Sequence, residues 1–68
     1  MTGDDERKLP VFLTTIEVAK MLHYEPRTLE KWRLEGRGPR YFRIGVSGKA
    51  KVVYRLSDLE DWLEGFRQ

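Results

Sequence analysis

Residues 13–39 read LTTIEVAKMLHYEPRTLEKWRLEGRGP, and this stretch decides the fold. Thr14 and Glu17 have the spacing of a capping box: the hydroxyl accepts from the amide three residues on, and the glutamate reaches back to the cap amide. Leu13 stands just before the cap, placed to staple onto the first turn. Ile16, Ala19 and Leu22 follow at spacings of three, with Val18 at the edge of their stripe, so a helix facing inward through Ile16, Ala19 and Leu22 is expected. It should end between Leu22 and Tyr24. His23 falls at the turn, and histidine is one of the few non-glycine residues enriched at positive φ. A second helix then opens on Pro26, whose missing amide costs nothing at a first helical position. Glu25 is its cap, a poor one, though its charge suits a helix N-terminus. Leu29 and Trp32 face inward, while Arg27, Thr28, Lys31 and Glu30 face out. Gly36 stops the helix, and Gly38-Pro39 sends the chain away extended.

Downstream, Tyr41–Ile44 and Val52–Arg55 alternate as short strands around a loop over 45–51 that carries Lys49 and Lys51. On the first strand Phe42 and Ile44 are the expected core face, with Tyr41 and Arg43 outside. On the second, Val52 and Tyr54 share a face. A last helix follows, with Ser57 and Glu60 spaced as another capping box. Leu59, Trp62, Leu63 and Phe66 form its apolar face, and Asp58, Glu60, Asp61 and Glu64 its solvated one. Residues 1–10 are polar and read as a flexible lead-in, which leaves 11–68 as the domain. The order helix, turn, helix, hairpin, helix is that of a small α+β winged helix-turn-helix.

The chain has 68 residues and no cysteine, so neither disulfides nor thiolate chemistry is open to it. That fits a reducing cytoplasm. No apolar run reaches the ~20 residues that span a bilayer, and the N-terminus lacks the apolar core of a secretory signal. His23 is the only histidine, Ser47 and Ser57 have no base near them in sequence, and the carboxylates sit on solvated faces. Enzymatic activity, a cofactor, a metal site and a small-molecule ligand are therefore not expected.

Charge is strongly polarised although the net value is only +2. From Arg27 to Arg55 nine basic side chains meet two acidic ones, a local net of +7, between segments of −2 and −3. Such a basic middle attracts a polyanion. Arg27 and Lys31 are four apart, so they project from one helical face. Both can donate to guanine O6 and N7, and Thr28 can meet a thymine methyl. Lys49 and Lys51, on a glycine-flanked tip, suit phosphates, and Arg43 adds to the basic surface of the wing. Tyr41, beside Arg43, either touches a phosphate or shields the core. Trp32 and Trp62 lie on apolar stripes and read as packing residues rather than stacking platforms. An adaptor that binds proteins would need apolar anchors, and no exposed apolar patch is expected.

The run over 13–39 together with YRLSDLEDWL at 54–63 resembles the excisionase-like, MerR-related helix-turn-helix domains. The shared features are the leucine–threonine start, Val18-Ala19, Pro26-Arg27-Thr28-Leu29 leading to Trp32, and the closing tryptophan helix. His23 stands where the family usually has glycine, Glu25 where it has serine, and the wing loop is longer than usual. The resemblance implies a second helix in the major groove, with Arg27, Thr28 and Lys31 as groove contacts and Lys49 and Lys51 as wing contacts. It also implies a role on double-stranded DNA as an excisionase, bending DNA and assisting a phage-type integrase, with head-to-tail self-association along the duplex. The alternative within the resemblance is a small transcriptional regulator. No ligand-binding or dimerisation segment is expected after the winged helix, and on that expectation the excisionase role is preferred. A DNA-associated cytoplasmic location follows from either role.

Overall fold

The computed structural model describes residues 9–46 and 48–68. The elements are β1 (Phe12–Thr14), α1 (Thr15–Leu22), α2 (Pro26–Leu34), β2 (Phe42–Ile44), β3 (Lys51–Arg55) and α3 (Leu56–Glu64). This is the α+β winged helix-turn-helix that the sequence implies, with one strand more. β1 pairs antiparallel with β3, so the wing hairpin is part of a three-stranded sheet of order β1-β3-β2. The lead-in expected over 1–10 falls mostly outside the described residues; Leu9 and Pro10 are exposed and have no regular structure.

Local signals set the first two helices. Thr14 caps α1 with both halves of the capping box: Glu17 N–H donates to Thr14 Oγ1 at 3.1 Å, and Thr14 N–H to Glu17 Oε1 at 2.8 Å. α1 ends at His23, which is left-handed at φ 64°, ψ 39°. Its amide donates to Lys20 O, and the Tyr24 amide reaches back to Ala19 O at 2.8 Å. α2 ends in the same way at Gly36 (φ +72°), where the Arg37 amide donates to Trp32 O at 2.8 Å. Both are Schellman closures, which satisfy the last carbonyls of a helix and require a left-handed residue just beyond it. Pro26 opens α2 after Glu25, which makes no side-chain cap bond.

The core is Val18, Ala19, Leu29, Tyr54 and Leu59, with Leu13, Leu22, Trp32, Val52, Leu56 and Trp62 packed around it. Burying each of the large apolar side chains contributes about 1.5–3 kcal/mol. The rings of Trp32 and Trp62 meet at 5.7 Å, with Tyr24 against the first and Phe66 against the second.

Three elements depart from expectation. On α1 the buried stripe is Thr15, Val18, Ala19 and Leu22, with Val18 at 0% exposure and Ile16 at 67%. Steps of three each fall about 60° short of a full turn, so the Ile16-Ala19-Leu22 line drifts around the helix, whereas alternating steps of three and four stay on one face. On β2, Phe42 and Ile44 are 38% and 53% exposed, not core. The register pairs Phe42 with Val53, Arg43 with Val52 and Ile44 with Lys51. Arg43 and Tyr41 therefore share the face of Val52 and Tyr54, towards the helices. On the other face Phe42 meets Phe12 edge-on at 5.8 Å, beneath the Arg55 guanidinium at 5.3 Å. The outer sheet face of Phe12, Phe42 and Ile44 is thus apolar and exposed, against the expectation of no such patch.

The third correction concerns α3. The strand runs straight into the helix, so Arg55 rather than Ser57 is the residue before it, and no side-chain cap bond forms. The Leu56 amide donates instead to Val11 O at 2.8 Å. Asp58, expected on the solvated face, is largely buried and holds Arg55 through two bonds of 3.2 Å. Leu63 and Phe66 lie on the expected apolar side but remain exposed. Among the described residues no helix is long and apolar enough to cross a membrane.

Candidate nucleic-acid interface

α2 presents Arg27, Glu30, Lys31 and Leu34 to solvent and turns Leu29 into the core. Arg27 and Lys31 lie on one face, as their spacing requires, and neither forms an ion pair among the described residues. Thr28 is half-buried at the edge of this face; its amide donates to Glu25 O at 2.9 Å and so closes the first turn. Its side chain is thus less open than those of Arg27 and Lys31.

The wing divides its charges between two faces. Arg43 is on the helix-facing side of the sheet, with its guanidinium 6.0 Å from the Tyr41 ring centroid. Lys51 pairs with Ile44 and so belongs to the opposite, outer face. Lys49 lies in the turn, where its amide donates to Val46 O at 2.9 Å. Both lysines are exposed. Arg43 is thus on the side of the sheet that faces the helices, while Lys51 is not. Ser47, in the wing loop, lies outside the described residues.

Arg33 does not stand out in the sequence as a site residue. Its Nη1 donates to Tyr54 Oη at 2.7 Å and to Thr15 Oγ1 at 3.2 Å, and its guanidinium lies 5.5 Å from the Tyr41 centroid. One side chain therefore joins α2 to the first turn of α1, to β3 and to the entry of β2. A signal for it exists: Arg33 is four residues after Leu29, on the buried phase of the helix, where a charged residue needs a reason. Tyr41, left open between phosphate contact and shield, packs at 6.2 Å against Tyr54 and carries two guanidinium groups.

A basic helix in the second position of a helix-turn-helix, flanked by a β-wing, defines a domain that binds double-stranded DNA. The chain belongs to the helix-turn-helix domain family, whose sequence pattern matches residues 12–67. No curated protein is similar enough to the chain to count as a relative.

Proposed function

We propose that the domain binds duplex DNA sequence-specifically as an excisionase, bending the duplex and assisting a phage-type integrase in excising a phage or mobile element. The observation that carries the DNA reading is the outward Arg27–Lys31 pair, unopposed by carboxylate partners among the described residues, on the helix that this fold inserts into a major groove. Arg27 and Lys31 read bases, Thr28 supports them from the edge of the helix, and Arg43, Lys49 and Lys51 hold the flanking backbone. The excisionase role is supported by the resemblance of residues 13–39 and 54–63, and by a family that includes excisionase-like proteins. Self-association along DNA is supported by charge: the segment 56–68 is net −3 beside a +7 middle, so neighbouring copies can meet head to tail.

The test is to select binding duplexes from a random pool and follow the selected site by fluorescence anisotropy. Arg27→Ala or Lys31→Ala should each weaken that site by about 1–3 kcal/mol with no change in melting temperature. Circularly permuted fragments should report a bend, and adding an integrase from a neighbouring gene should convert binding into excision. Binding without a bend or excision would leave a transcriptional regulator. A failure to bind any duplex would refute the DNA reading itself.

A further inference from the structure

We infer that the concavity between the end of α2 and the base of the wing is a phosphodiester site, with Arg33 as its fixed anchor and Arg40 as its outer arm. The inference rests on the duplex-binding reading above and adds to it a backbone contact at residues outside the outward helical face. The concavity is open, about 460 Å³, and is lined by four arginines, Arg33, Arg37, Arg40 and Arg55, and by one carboxylate, Asp58. Two of these are already neutralised. Arg37 pairs with Glu35 at 2.9 Å, and Arg55 is held by Asp58. Arg33 and Arg40 have no carboxylate partner among the described residues.

Arg33 is the telling one. A half-buried guanidinium normally meets a carboxylate, yet this one is held by two neutral hydroxyls and an aromatic ring. These contacts use only Nη1, and guanidinium has five N–H donors. The Nε and Nη2 donors make no hydrogen bond among the described residues, and no unbonded side-chain nitrogen is sealed from solvent there. A charged, planar fork is thus held through one nitrogen, with its other donors unbonded and not sealed from solvent, in a residue that lines the concavity. A phosphodiester brings one negative charge and two oxygens spaced for such a fork. The site lies where the chain leaves α2 and enters β2, between the base-reading helix and the wing, so a DNA strand flanking the groove can supply that group.

The experiment measures affinity for a mixed-sequence duplex across a salt series, for wild type, Arg33→Met and the exposed Arg40→Ala. Each substitution should reduce the slope of log affinity against log salt by about 0.9, with an equal loss on specific and scrambled duplexes. Arg40→Ala keeps the test valid if Arg33→Met does not fold. Single methylphosphonate substitutions scanned along the duplex should weaken wild type at one flanking position and leave Arg40→Ala indifferent there. Unchanged slopes in folded variants, with wild type still binding DNA, overturn this site alone. Failure of wild type to bind duplex overturns the functional reading with it. Binding of inorganic phosphate that is lost in Arg40→Ala, with duplex slopes unchanged, would assign the site to a free phosphate and overturn the backbone source.

Discussion

Gly38→Ala, compared with Gly36→Ala, tests how tightly the exit from α2 is fitted against the tryptophan pair. Both glycines have positive φ, +72° at Gly36 and +86° at Gly38. An L-residue in that region costs about 1 kcal/mol or somewhat more. At Gly36 an added Cβ meets nothing within 4 Å, so the conformational term is the whole effect. At Gly38 the Cβ would lie 3.1 Å from Trp32 Cε3 and 3.2 Å from Trp32 Cβ. Trp32 has little room to retreat, because its ring is set between Tyr24 and Trp62 at 5.2 and 5.7 Å. Overpacking of this kind adds about 1–3 kcal/mol, for a total of about 2–4 kcal/mol. In a domain of this size 1 kcal/mol shifts the melting temperature by about 4–8 °C. Thermal unfolding followed by circular dichroism should therefore show Gly38→Ala losing at least twice as many degrees as Gly36→Ala. Adding Trp32→Leu should narrow the gap between the two glycine substitutions, because the overlap with the ring carbon has gone while that with Cβ remains. If Gly36→Ala and Gly38→Ala melt together in the parent protein, the close approach to Trp32 does not limit this loop.

His23→Gly should stabilise the domain by roughly 0.5–1 kcal/mol, since glycine holds the left-handed closure of α1 without strain; a lower melting temperature would mean the imidazole makes a contact that outweighs the strain. Val18→Ala should cost about 1–3 kcal/mol and Ile16→Ser less than about 0.5 kcal/mol, read by urea unfolding; the reverse order would restore the Ile16-Ala19-Leu22 phase for α1. Replacing Lys49 and Lys51 together by alanine should reduce the salt slope by about 0.9 for each phosphate that a lysine neutralises, equally on cognate and scrambled duplexes. A weakening confined to the cognate duplex would mean that the wing reads bases.

What could be read from the sequence was local. A capping box, a proline at a first helical turn, a histidine at a left-handed position and a glycine stop each act within a few residues, and each is found where the sequence puts it. What could not be read depended on partners far along the chain. β2 alternates Tyr41, Phe42, Arg43 and Ile44, and hydropathy alone puts the phenylalanine and isoleucine inside. The pairing with β3 reverses this, because Tyr54 brings Tyr41 and Arg33 to the inner side. β1 is three residues long, too short to show a period. Ser57 and Glu60 have capping spacing, but the helix starts before them and Asp58 is engaged by Arg55. Arg27, Lys31 and Lys49 were legible as exposed cations; for Arg33 the buried helical phase was a signal, but its partners emerge only when α1, α2 and the sheet meet.

β1 gives way to α1, and β3 to α3, with no residue between strand and helix. Thr14 is both the end of a strand and the cap of a helix, and Arg55 is both a sheet residue and the last before Leu56. Such joints transmit orientation without slack. One residue inserted at either would turn the following helix by about 100° and carry its buried face out of the core. The connection between β2 and β3 is different, because lengthening a loop costs little. Any redesign of this domain for a wider DNA footprint is therefore channelled to the wing tip, while the angles of α1 and α3 to the sheet are held constant.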